Sequence, residues 1–216
     1  MPDMPHDSIS RRAVVAAASG LALASADLAQ AAPVRSVAML GDSITSGFGL
    51  PASQALPSRL QVELARIGAP ARIIPAGRNG DTTASAAARV DHAVPAGVDV
   101  CVVELGGNDL MTGAEPAAMK TNLDRIVRRL KARNITVVLA GVRAPPLMDP
   151  GYVRAFNAAF ASVASAQRVI FMPDLLEGVL LNPQLNQSDG VHPNAAGVTV
   201  IARRLAPLVA RGLAAR

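Results

Sequence analysis

Asp189 and His192 stand three residues apart in QSDGVHPN, with Gly190 and Pro193 shaping the turn around them. This spacing lets the carboxylate fold back onto one imidazole nitrogen while the other nitrogen faces outward. A nucleophilic serine needs a base held in that way. Ser43, in MLGDSITSGFGLP, follows a short apolar run in a glycine-rich turn and has three readings: helix cap, phosphate ligand or nucleophile. A phosphate loop requires a lysine after its glycines; none follows, Asp42 would repel the anion, and the dinucleotide pattern G-x-G-x-x-G is absent from this turn. Asp and Ser are both good N-cap residues, so the cap reading stands. The nucleophile reading depends on His192, because His6 lies in an N-terminal segment expected to be removed. His92 sits late in the helix-like RVDHAVP with no motif around it. A lone D-x-x-H recurs by chance in many proteins, so these residues alone leave both readings open.

The elements that must position these residues alternate. VRSVAMLG, ARIIPAG, VDVCVVELGG, ITVVLAG and RVIFMPD read as strands. ASQALPSRLQVELARIG, DTTASAAARVDHAV, EPAAMKTNLDRIVRRLKARN, DPGYVRAFNAAFASVASA and NAAGVTVIARRLAPLVARGLAA read as helices, the last with Pro207 implying a kink or a break. Apolar strands of the doubly buried type between helices predict an α/β fold: a three-layer α/β/α sandwich on a doubly wound, five-stranded parallel sheet. Ligands of such sheets bind beyond the C-terminal strand ends. Those ends carry Asp42 and Ser43; Asn79, Gly80 and Asp81; Gly106, Gly107, Asn108 and Asp109; then GVRAPPLMDP; and lastly Asp189 and His192, all on one rim.

The 216 residues are half hydrophobic and 17% charged, enough for one domain with a substantial core. Aromatics make up only 2%, which argues against single-stranded nucleic acid as a partner. The net charge of +5 is densest at Arg125, Arg128, Arg129, Lys131 and Arg133, helically spaced against Leu123, Ile126, Val127 and Leu130, and reads as a solvated helix face. Near the N-terminus, Arg11 and Arg12 precede an apolar run from Ala13 to about Ala26, and Ala29 and Ala31 fit an A-x-A cleavage site. Residues 1–31 are therefore expected to be a cleaved export signal of the twin-arginine type, leaving 32–216 as a single periplasmic or secreted domain. The run falls short of the roughly 20 residues of a membrane span. Cys101, the only cysteine, sits in an apolar strand and reads as a buried hydrophobe. One cysteine and three histidines argue against a zinc site.

In this order, GDSITSG, GRNGDTT, GGND and DGVHPN resemble the four blocks of the SGNH, or GDSL-type, hydrolase superfamily, from about Val34 to the C-terminus. GDSITSGFGLP, NGDTTA, VELGGNDLM, VRAPP and LLNPQLNQSDGVHPN are similar to its branch of periplasmic thioesterase I, lysophospholipase L1 and arylesterases. The resemblance implies a flavodoxin-like SGNH fold and a serine esterase acting on carboxylic esters or thioesters, with no metal or organic cofactor. It implies Ser43 as nucleophile, His192 as general base and then acid, and Asp189 as the group that holds its tautomer. The oxyanion hole would comprise the Ser43 and Gly80 backbone N–H groups and the Asn108 side chain. Arg78 departs from the smaller or uncharged residue common in this branch, which leaves the charge of the pocket mouth open. Leu110, Met111, Leu147 and Met148 are placed in loops, where they line an acyl groove or simply pack. Asp42, Glu104 and Asp109 read as structural, Asp81 and Thr82 as helix caps, and Arg143 as a salt-bridge partner. The expected partner is a small acyl ester or thioester. The alternatives are a carbohydrate O-deacetylase on the same scaffold and a flavodoxin-like binding module without catalysis.

Overall fold

A computed structural model describes residues 34–215, so the expected signal at 1–31 lies outside the described residues. Five strands, β1 (Arg35–Gly41), β2 (Ala71–Gly77), β3 (Val100–Glu104), β4 (Thr136–Ala140) and β5 (Ile170–Met172), form one sheet in the order β2-β1-β3-β4-β5. All pairings are parallel, as their apolar runs predict; every residue of β3 is buried. The long helices are α2 (Leu56–Arg66), α3 (Thr83–Ala93), α5 (Pro116–Ala132), α6 (Pro150–Gln167) and α7 (Ala195–Ala214), and two single-turn helices, α1 (Ser43–Ser46) and α4 (Gly107–Met111), follow β1 and β3. One core packs α3, α5 and α6 on one face of the sheet; the other packs α2 and α7 on the opposite face.

The chain order reverses at β1, which has β2 on one side and β3 on the other, so a crevice opens at their C-terminal ends. Gly41 lies opposite Gly77 in one ladder and Glu104 in the other. Both glycines are required by close approach. A Cβ on Gly41 would collide with the Thr45 side chain and Glu104, and one on Gly77 with the Ser46 amide.

Helix ends follow local chemistry. Thr82 accepts from the Ser85 amide in a reciprocal capping box, Asp149 from Tyr152, and Asn194 from Ala196 and Gly197. Arg125, Arg128, Arg129 and Lys131 are exposed along α5, over buried Leu123, Ile126, Val127 and Leu130. Four expectations need correcting. The helix expected from Ala52 breaks into a 3₁₀ turn (Ala52–Gln54) and α2, with Ala55 extended between them and Pro57 in the first turn of α2, where its missing N–H costs no helical bond. Strand β3 stops at Glu104 because Gly106 turns the backbone to φ 111° and starts α4. Leu110 and Met111 therefore lie on a helix rather than a loop. Helix α7 runs unbroken through Pro207: both Pro207 and Arg203, whose carbonyl loses its partner, are exposed, so water can take that bond.

Candidate active site

Ser43 is the first residue of α1, placed at the crevice because β1 ends at Gly41 and Asp42 starts the turn. The N-cap of this turn is Asp42, whose Oδ1 accepts from the Ile44 amide at 3.0 Å. Capping thus falls to the neighbour, and the Ser43 hydroxyl is left to the cleft. Across the crevice, 149 residues on, His192 Nε2 lies 3.0 Å from Ser43 Oγ. His192 Nδ1 lies 2.7 Å from Asp189 Oδ2. Asp189 Oδ1 also accepts the Val191 and His192 amides, each at 2.9 Å. The backbone N–H of His192, then its ring, then the Val191 N–H hold the Asp189 carboxyl down at about 2. Asp189 is thus a carboxylate throughout the neutral range, although its side chain is 40% exposed.

This local turn is stapled to the rest of the rim. Gln187 donates through Nε2 to Phe48 O (2.8 Å) and Pro193 O (3.1 Å), and its amide donates to His192 O at 2.8 Å. The Phe48 ring packs 4.6 Å from the imidazole. Pattern reading missed both residues. Their only mark in the sequence is proximity to the serine and the histidine, since contact between them depends on the fold.

The second and third strand ends bring in the donors. Gly80 sits in the turn after β2 at φ 78°, and neither its N–H nor that of Ser43 has a hydrogen-bond partner among the described residues. Asn108, in α4, donates through Nδ2 to Asp81 O (3.0 Å) and Asp42 Oδ2 (3.2 Å). Asp109 anchors that helix by accepting from the Thr83 amide (2.8 Å) and hydroxyl (2.6 Å). Asp81 caps nothing through its own carboxylate; it pairs with Arg89 at 2.5 Å and accepts from the Ser85 hydroxyl. Arg89 in turn donates to Gly41 O and Ala76 O, tying three rim segments together.

Ser43, Gly80, Asn108 and His192 line one cleft of about 420 Å³, with Leu110, Met111, Leu180 and Leu181 among its apolar walls. Leu147 and Met148 do not line it: Leu147 is 98% exposed, and Met148 packs against the core under α5 and α6. Arg143 lines the cleft and makes no ion pair among the described residues, contrary to the expected salt bridge. Among the described residues nine large hydrophobics are exposed, and five of them, Phe48, Met111, Leu180, Leu181 and Val191, line this cleft. Leu181 adopts φ 62°, a costly conformation for leucine, at the mouth. Cys101 is buried as expected, its thiol pushed up to about 12 by burial.

The family model described as GDSL-like lipase/acylhydrolase matches residues 39–200. The chain is 36% identical to the esterase TesA of Pseudomonas aeruginosa over 173 residues, 78% of this chain and 85% of that one. It is 32% identical to the thioesterase 1/protease 1/lysophospholipase L1 of Escherichia coli strain K12, covering 83% and 88%. Among solved structures, TesA superposes with a TM-score of 0.78 at 32% identity, over 83% of this chain and all of that one. AlinE4, an SGNH-hydrolase family esterase, superposes with a TM-score of 0.71 at 37% identity, over 84% and 98%.

Proposed function

The chain belongs to the GDSL-like lipase/acylhydrolase family and hydrolyses ester or thioester bonds; on that premise we propose that it does so through an acyl-serine on Ser43. The observation that carries this reading is the Ser43–His192–Asp189 relay opening into an apolar cleft. His192 Nε2 takes the hydroxyl proton as Ser43 Oγ attacks the carbonyl carbon; 3.0 Å is within reach for that transfer. Asp189 holds the Nδ1 proton and stabilises the imidazolium that forms. The negative oxygen develops near the unpartnered N–H groups of Ser43 and Gly80, with the Asn108 amide as third donor. His192 then protonates the departing alcohol or thiol, and water repeats the sequence to release the acid.

The exposed hydrophobics gathered at this cleft favour an acyl chain over a sugar as the group held there, and so speak against an O-deacetylase. We further propose that residues 1–31 direct export, on the strength of Arg11, Arg12 and the Ala29-x-Ala31 site, with 32–216 as the mature domain. Amino-terminal sequencing of protein recovered outside the cytoplasm, starting at Ala32, tests that point.

A fluorophosphonate probe should label the wild type and not Ser43→Ala, which should also lose hydrolysis while keeping its melting temperature. With p-nitrophenyl esters, kcat/KM should rise from acetate to medium chains and exceed activity on acetylated xylan. Labelling that survives in Ser43→Ala, or a preference for the acetylated polysaccharide, would overturn the reading.

A further inference from the structure

Two carboxyl groups sit beneath Ser43 and take no part in the relay. Asp42 is 2% and Glu104 1% exposed. They are neighbours because Gly41, the last residue of β1, pairs with Glu104 at the end of β3, which puts Asp42 one step beyond that pair. The Asp42 amide points at Glu104 Oε2 at 3.4 Å, and the Thr45 hydroxyl donates to the same oxygen at 2.7 Å. Glu104 Oε1 has no hydrogen-bond partner among the described residues. The other side of Asp42 faces the reaction centre: Oδ1 holds the Ile44 amide of the nucleophile turn, and Oδ2 holds Asn108 Nδ2.

We propose that Asp42 is a positioning residue for ester hydrolysis, orienting the Asn108 amide for the oxyanion, and that Glu104 serves it as an uncharged hydrogen-bonding neighbour. This rests on the function proposed above. Asn108 has two Nδ2 hydrogens, one held by Asp81 O at 3.0 Å and the other by Asp42 at 3.2 Å. The plane of the amide is set before substrate arrives, so the transition state need not select a rotamer. The hydrogen on Asp42, the longer contact, is the one the oxyanion shares.

The charge assignment follows from burial and partners. No salt bridge reaches either carboxyl among the described residues; Arg89, which binds Gly41 O just before Asp42, is engaged by Asp81. Two adjacent carboxylates without a counter-ion cannot both remain ionised. Asp42 accepts one N–H group on each oxygen and lies within the field of His192, whereas Glu104 accepts on Oε2 alone. Burial raises both groups, Asp42 to about 6 and Glu104 well above its usual range, partly through Asp42 itself. At neutral pH the proton therefore stays on Glu104.

A double-mutant cycle on the full domain tests this. Asp42→Asn keeps the size and the Ile44 cap but puts an amide against Asn108; kcat should fall about 10- to 100-fold with KM within about twofold, below the 10²–10³ expected for outright loss of one donor. Asn108→Ala combined with Asp42→Asn should be no slower than Asn108→Ala alone, because Asp42 acts through that side chain. Glu104→Ala should slow kcat, and Glu104→Gln should recover most of that loss. Should Asp42→Asn fold poorly, Asp42→Ser, which keeps a cap without reach to Asn108, carries the same expectation. Additive losses in the cycle, or Glu104→Gln no better than Glu104→Ala, would overturn the inference. Fluorophosphonate labelling of the wild type separates the outcomes: labelling with an additive cycle removes only Asp42's role, whereas no labelling removes the serine mechanism itself.

Discussion

Gly80→Ala distinguishes a backbone oxyanion donor from a side-chain one. Gly80 holds φ 78°, and a Cβ built there meets nothing within 4 Å, so the methyl clashes with no protein atom. The only cost is conformational, about 1–2 kcal/mol for an L-residue in the left-handed region. Two responses are open to the turn. If it keeps its shape, the N–H stays aimed and the cost appears as lost stability, a fall in melting temperature of about 2–8 °C for a domain of this size. If it relaxes, the free enzyme recovers the strain, and the transition state must reinstate it to regain the donor. The loss in kcat/KM is then bounded by the strain itself, about 5- to 30-fold. The same 1–2 kcal/mol should thus surface in rate or in stability, never in full in both. Asn108→Ala has no such bound, since the donor is gone, and should cost about 10²–10³. The assay is kcat/KM on p-nitrophenyl acetate, whose small acyl group leaves room for the added methyl, alongside calorimetric melting. A loss beyond about 10² in Gly80→Ala with a native melting temperature would refute the reasoning, as would an Asn108→Ala variant faster than Gly80→Ala.

Arg89→Met leaves Asp81, 3% exposed, without its cation and removes one donor each from the Gly41 and Ala76 carbonyls. Breaking a buried pair from one side costs about 3–5 kcal/mol. The melting temperature should fall by roughly 6–20 °C at 2–4 °C per kcal/mol, and a change under about 3 °C would remove Arg89 as the tie of the rim. The raised Asp42 carboxyl carries a pH signature with a definite sign. Its folded value of about 6 lies above the ordinary aspartate value of 3.8, so the folded protein holds this proton more tightly. The contribution is fully present below the unfolded value and is lost as pH rises through about 6. Compared with Asp42→Asn, the wild type should gain melting temperature between pH 7.5 and pH 5; a difference that does not vary with pH would mean Asp42 is not raised.

What could be read from residues alone follows from how each feature is encoded. The strands were legible because a sheet covered on both faces demands continuous apolar runs, and Val100 to Val103 supply one that is fully buried. Asp189 and His192 were legible because their pairing is local, three residues apart in a single turn. The cleft walls were not. Leu147 and Leu180 look alike as apolar residues in turn-rich segments, and only the backbone path sends one into solvent and the other to the cleft mouth. Leu181 reaches that mouth at a positive φ, which no propensity would assign to leucine. The Asp42–Glu104 pair is an intermediate case. The two lie 62 residues apart and come together through one register, Gly41 opposite Glu104. A strand ending in glycine and a strand ending in a buried glutamate are each unremarkable alone. Placed side by side they explain one another, since any Cβ on Gly41 would occupy the space that Glu104 and Thr45 need to reach each other. The glycine before Asp42 thus makes room for a carboxyl beneath the nucleophile, and Gly41→Ala should disturb the Glu104–Thr45 contact before it disturbs the Ser43–His192 one.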